Sequence, residues 1–147
     1  RQWAGVRTLL PVRLERGECT VVNVVFYTDV QHPHVPASLG GWGFAYPSSN
    51  AGFARMVGAF RVEHPASGLR CFNVEPGTVG TEVMKAAGIT EEIMQRYKPC
   101  TPQAIAAVIA WLAENDPADE LLAAEVLPAP ALAKQLDKLK LQSFFGE

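Results

Sequence analysis

Leu69-Arg70-Cys71-Phe72-Asn73-Val74-Glu75-Pro76-Gly77-Thr78-Val79-Gly80-Thr81 is the stretch whose reading decides the fold. Its first six residues are short and apolar enough for a buried strand, and Pro76-Gly77 closes that strand in a turn. Immediately upstream, Ala51, Ala54, Val57 and Phe60 place one apolar stripe along a helix that runs to about Glu63, and Pro47 suits its first turn. Further upstream, residues 19–28 form an almost continuous valine-rich run, the pattern of a strand covered on both faces of a parallel sheet. Strand, helix and strand in this order predict a β-α-β unit.

The same reading extends outward. Over residues 2–16, Trp3, Val6, Leu9 and Leu10 recur at helical spacing; Pro11 is expected to kink or end the regular part, and Gly17 is a natural stop. Residues 29–45 are a loop dense in Pro, Gly and His, of a length common in lids and binding loops. Downstream, Thr101 can cap a helix opened by Pro102 whose Ile105, Val108, Ile109 and Leu112 share a face. Residues 123–127 suit a third strand, and a last amphipathic helix carries Leu132, Leu136 and Leu139. Strands alternating with helices predict an α/β, doubly wound, Rossmann-like parallel sheet flanked by helices, one domain over residues 1–147.

Composition narrows the function classes. With 147 residues and 48% apolar content the chain can bury one sizeable core and is too short for two ordinary domains. Thirteen basic residues against fifteen acidic ones give a net charge of −2, without the positive field that nucleic acid or an anionic membrane requires. Cys19, Cys71 and Cys100 are odd in number and widely spaced, which argues against a disulfide framework and a zinc site and suits reduced thiols in the cytoplasm. The long uncharged stretch over residues 30–54 holds too many Pro and Gly residues for a membrane helix. The chain opens on Arg1 with no basic-then-apolar signal after it, which suggests a partial or trimmed, non-secreted chain.

Three features fall in one order: the strand around Val21-Val22-Asn23-Val24-Val25-Phe26, then Tyr46-Pro47-Ser48-Ser49-Asn50-Ala51 opening a helix, then Asn73 to Thr81 leaving the next strand. Together they resemble the second half of the short-chain dehydrogenase/reductase family, without its N-terminal strands. In that family a tyrosine exchanges a proton with a carbonyl or alcohol substrate while NAD(P) exchanges hydride at the same carbon. A lysine four residues on, one helical turn away, makes the phenolate attainable. The resemblance assigns Tyr46 to the tyrosine and puts Asn50 at the lysine position. The magnitude matters. Bringing a tyrosine from about 10 to about 7 requires roughly 4 kcal/mol, about what a unit charge roughly 4 Å away supplies at an effective dielectric of 20. A neutral amide has no such charge, so Tyr46 is expected to be a poor base.

The family's serine, at the end of the preceding strand, is replaced by Val25 and Phe26; Thr28 could face the same way two residues on, and Ser38 could return from the loop. The turn with Pro76, Gly77, Val79 and Thr81 is the best-kept match. The resemblance places it against the nicotinamide and phosphates, with an amide near Val79 and the Thr81 hydroxyl as contacts. No strand followed by a Gly-rich turn and helix precedes it, and Gly40-Gly41-Trp42-Gly43 reads as loop flexibility. The resemblance thus implies NAD(P) as cofactor, not bound by this chain alone.

The remaining candidates have plainer readings. His32 and His34 lack a third ligand at a recognisable spacing and read as loop residues, so no metal is expected. Trp42 and Phe44 either line a substrate pocket or anchor the loop. The family pairing of subunits implies a homo-oligomer through residues 2–16 and 47–63, and the Val21 strand leaves an apolar edge open to association. The expectation is therefore a partial or degenerate oxidoreductase, inactive alone, with a non-catalytic scaffold or oligomerisation module as the alternative.

Overall fold

The computed structural model describes residues 2–17, 19–26, 36–39, 43–65, 67–82, 86, 92, 99–115 and 119–144. Its elements are α1 (Gln2–Leu14), β1 (Cys19–Val24), a 3-10 turn (Ala37–Leu39), α2 (Ala45–Glu63), β2 (Leu69–Glu75), α3 (Pro102–Glu114), α4 (Asp119–Ala123), β3 (Leu127–Pro128) and α5 (Ala129–Phe144). The chain divides into two compact units, one of Arg1–Val74 with Ala118–Val126, the other of Glu75–Pro117 with Leu127–Glu147.

In the first unit β1 and β2 pair in parallel, from Cys19↔Leu69 to Val24↔Val74, with α2 as the crossover. Two parallel strands need such a connection, and α2 supplies it because its apolar stripe can return over the sheet. Leu10 of α1, Val57 and Phe60 of α2 and Cys71 of β2 form the buried cluster, with Val6, Leu14, Val21 and Met56 packed around it. This is the predicted β-α-β unit.

Two expectations here need correction. Pro11 lies inside α1 without ending it, and the Glu15 amide still donates to the Pro11 carbonyl at 3.1 Å. Pro11 and Arg7 are exposed, so water can serve the carbonyl that proline cannot. Nor is β1 covered on both faces: its residues are half-buried and Val24 is 44% exposed, whereas β2 is buried from Cys71 to Glu75. A valine run reports the capacity to be covered, and only β2 realises it.

In the second unit α3 begins as expected, the Thr101 hydroxyl accepting from the Ala104 amide at 3.2 Å with Pro102 in the first turn. It packs against α5, with Ile105, Val108, Leu112, Leu132 and Leu136 buried. The strand expected over residues 123–127 is displaced: Ala123 ends α4, and β3 is only Leu127–Pro128. Glu120-Leu121-Leu122-Ala123 are strong helix formers, and Pro128 and Pro130 lack the amides a longer strand needs. No helix among the described residues is long and apolar enough to cross a membrane.

Candidate functional site

Tyr46 is the second residue of α2 and stands half-exposed. Its ring centroid lies 6.3 Å from that of Phe26, the planes inclined at 51°, an ordinary tilted aromatic pair. Phe26 follows the end of β1, held near β2 by the Val25 amide donating to the Val74 carbonyl at 3.0 Å. The fold therefore brings the tyrosine to the place where the resemblance wants a serine, and a benzyl side chain stands there instead. A phenylalanine has no hydroxyl to donate to a reacting oxygen. Asn50 sits one helical turn after Tyr46, half-buried and neutral. Ser49 donates to the Tyr46 carbonyl at 2.9 Å, which tightens the first turn without touching the phenol.

Thr28, offered as a serine substitute, lies outside the described residues, as do Trp42, His32 and His34. Ser38 is in the 3-10 turn and exposed. Phe44 is 87% exposed, which leaves it anchoring nothing among the described residues. No group of His, Cys, Asp and Glu among the described residues could hold a metal ion.

An amide network missed in the sequence ties this region together. Asn23 of β1 donates to the Phe53 carbonyl at 3.0 Å and to Oδ1 of Asn73, its register partner on β2, at 2.9 Å. Asn73 in turn donates to the carbonyls of Ala54 at 2.9 Å and Glu125 at 3.0 Å. Asn73 is buried, and its amide is satisfied on both sides, as a buried polar group must be. Arg61 adds a second tether, with Nη2 and Nε on the Cys71 carbonyl at 2.6 and 3.2 Å and Nη1 on the Ala124 carbonyl at 3.1 Å. These bonds fix α2, and so Tyr46, against the two strands. The sequence shows only one asparagine in each strand, and their shared register appears only in the fold. Burial also pushes the Cys71 thiol up to about 11, with Arg61 opposing, so this free cysteine is an inert core residue.

Pro76, Gly77, Val79 and Thr81 lie in the turn that opens the second unit, and Tyr46 and Asn50 belong to the first. Gly77 adopts φ +65°, and a Cβ there would stand 3.1 Å from Cγ of Pro130, so the turn needs glycine twice over. The buried Glu75 carboxylate accepts from the Gly77 amide at 2.9 Å. Burial raises the Glu75 carboxyl above its ordinary range, partly offset by that bond. Val79 bridges Cys100 in parallel: Gly80 donates to the Cys100 carbonyl at 3.0 Å and Cys100 to the Thr78 carbonyl at 2.8 Å. In that pattern the Val79 amide points away from the bridge, as a cofactor contact would require. Glu75, by contrast, takes up the Gly77 amide and brings negative charge to a turn expected to face phosphates.

Solved structures share this architecture. An oxidoreductase of the short-chain dehydrogenase/reductase family from Burkholderia thailandensis matches with a TM-score of 0.66 at 22% identity, over 97% of this chain and 57% of its own. This chain carries part of the short-chain dehydrogenase/reductase fold. A 7α-hydroxysteroid dehydrogenase in complex with NADH and 7-oxoglycochenodeoxycholic acid matches with a TM-score of 0.62 at 17% identity, over 84% of this chain and 47% of its own. A gluconate 5-dehydrogenase from Burkholderia cenocepacia, in complex with NADP and tartrate, gives 0.61 at 12%, over 83% and 47%. The chain spans about half the length of the structures it matches. No protein-family model matches the sequence, and no curated protein matches it.

Proposed function

We propose that the chain is a partial or degenerate form of an NAD(P)-dependent oxidoreductase acting on a carbonyl or alcohol, and that it does not transfer hydride by itself. The observation that carries this reading is the environment of Tyr46, with Phe26 where a hydroxyl donor is needed and Asn50 where a cation is needed. A bound nicotinamide would supply the hydride. The residues of this chain do not fit that role well: the amide of Gly77 is already engaged by Glu75, and the carboxylate opposes an anionic ligand. The Val79 amide and Thr81 are the contacts that the resemblance assigns to a dinucleotide, if another segment supplied the phosphate cradle. The three free thiols, two half-buried and one buried, support a cytoplasmic setting.

A scaffold role is the second reading, favoured by the apolar surface of the first unit. Leu9 and Val12 of α1 are 63% and 49% exposed, and α2 presents a cleft lined by Ser48, Gly52, Met56 and Ala59. A homo-oligomer formed through residues 2–16 and 47–63 would cover both. The test is to titrate the purified chain with NADH and NADPH while following its Tm and the absorbance at the reduced nicotinamide band. The expected result is no saturable rise in Tm and no turnover with carbonyl substrates. Steady oxidation of either cofactor, abolished by Tyr46→Phe, would sink the proposal.

A further inference from the structure

Arg61 of α2 is half-buried and is held in place by neutral groups. Its Nε and Nη2 donate to the Cys71 carbonyl and its Nη1 to the Ala124 carbonyl. A guanidinium carries five N–H donors and a permanent charge, so these three bonds leave two donors and the whole positive charge unmatched. Among the described residues no carboxylate pairs with it. Arg61 borders a cavity of about 420 Å³, within the size range of small-molecule sites. Arg55 and Glu125 border the same cavity, and among the described residues neither forms an ion pair. The described lining belongs wholly to the first unit, on the side of β2 and the chain after α4, and includes nothing from α1 or β1.

Gly58 lies midway between the two arginines, three residues from each, so all three sit along one ridge of α2. A glycine inside a helix costs stability relative to alanine. Nothing in the fold asks for one here, because its backbone is helical and a Cβ would meet nothing within 4 Å outside its own helical turn. What the glycine provides is room, since it keeps the ridge between the two guanidinium groups free of a side chain.

We propose that this cavity binds a small organic monocarboxylate with an apolar body, its carboxylate on Arg61 and Arg55 and its body seated over Gly58. The site is separate from Tyr46 and does not depend on hydride transfer. Preorganisation favours it. The carbonyl bonds already fix the plane of the Arg61 guanidinium, so the entropy of ordering that side chain is lost on folding and not on binding. Charge selects the ligand. Two arginines against Glu125 leave one net positive charge among the described lining residues, which a single carboxylate matches. A phosphate dianion would exceed it and would face the Glu125 carboxylate. The remaining lining selects an apolar body: Ala51, Ala54 and Val126 offer no polar side chain, and both N–H donors of the Asn73 amide already serve the Ala54 and Glu125 carbonyls.

The experiment is calorimetric titration of the whole chain with benzoate at constant ionic strength, with benzamide, its uncharged isostere, and inorganic phosphate as comparison ligands. The expected result is saturable benzoate binding with a Kd on the order of 1 mM, the level that a ligand of this size reaches. Benzamide and phosphate are expected to bind at least about tenfold more weakly, the difference that one charge-assisted hydrogen-bonded pair makes. Arg55→Gln and Arg61→Gln are each expected to weaken benzoate by a similar factor, whereas Glu125→Gln, which removes the opposing charge, is expected to tighten it. Gly58→Leu separates the site from the fold. Leucine is a strong helix former and has open space at this position, so Tm is expected to stay at or above that of the wild type while benzoate binding falls at least about tenfold. No saturable benzoate binding, benzamide or phosphate binding as tightly as benzoate, or a Gly58→Leu chain that binds benzoate as the wild type does would each overturn the proposal.

Discussion

Replacing Asn73 by alanine removes the centre of the amide network that joins β1, β2 and α2. Three hydrogen bonds disappear: the one Asn73 accepts from Asn23 and the two it donates to Ala54 and Glu125. At a net value of about 1 kcal/mol each, the loss sums to about 3 kcal/mol. Two features temper it, since Asn23 keeps its bond to the Phe53 carbonyl and the Ala54 carbonyl belongs to a helix that supplies its own donor. A loss of about 2–4 kcal/mol is a large share of the roughly 5–15 kcal/mol that holds a domain folded. Urea denaturation followed by circular dichroism measures it, with the slope m checked so that a change in the unfolded state is not mistaken for stability. Asn73→Asp sharpens the test. It retains the acceptor for Asn23 but loses both donors and buries a charge, so its cost exceeds that of alanine at pH 7 and shrinks on acidification. A cost for Asn73→Ala within about 0.5 kcal/mol, the range of ordinary surface substitutions, would refute the idea that this network positions the helix bearing Tyr46.

Two further outcomes concern the turn after β2. Gly77→Ala combines a positive φ with a Cβ placed 3.1 Å from Pro130, whereas Gly17→Ala meets a positive φ in open space. Both are expected to cost about 1–2 kcal/mol for the backbone, and thermal melts should show an added loss only at Gly77; equal losses would dismiss the Pro130 contact. Glu75 has its carboxyl raised in the folded chain by burial. The folded state therefore binds the proton more tightly than the unfolded one. Ionised Glu75 weakens the fold at neutral pH, and stability is regained as pH falls through the folded value, the gain complete below the unfolded value of about 4.3. Glu75→Gln, which still offers an oxygen to the Gly77 amide, is expected to exceed the wild type in stability at pH 7 and to lose that advantage near pH 4. Urea midpoints for the two chains that differ equally at all pH values would contradict it.

The parts of the fold that could be read from the chain were those with a period. The helix stripe through Ala51, Ala54, Val57 and Phe60 lies on α2, and Thr101-Pro102 starts α3, because spacing and caps are local properties. Pro11 and residues 123–127 failed for the same reason in reverse: whether a freed carbonyl meets water, and whether Ala123 closes a helical turn or opens a strand, depend on surroundings that no window of sequence contains. The candidate site divides similarly. The resemblance put Val25 and Phe26 in the place of the family's serine, and the Phe26 ring lies 6.3 Å from that of Tyr46. The asparagine pair was invisible because an amide inside a strand predicts nothing until its register partner is known. Phe26 and Asn50 are ordinary residues for the end of a strand and the first turns of a helix, and neither would attract notice alone. Read with the resemblance, Phe26 beside the Tyr46 ring offers no hydroxyl donor, and Asn50, one helical turn after Tyr46, offers no cation. In the family the cation supports the phenolate and the hydroxyl holds the substrate oxygen, so restoring one without the other leaves the phenolate unsupported or the substrate oxygen unheld. Asn50→Lys by itself therefore gives no reason to expect turnover.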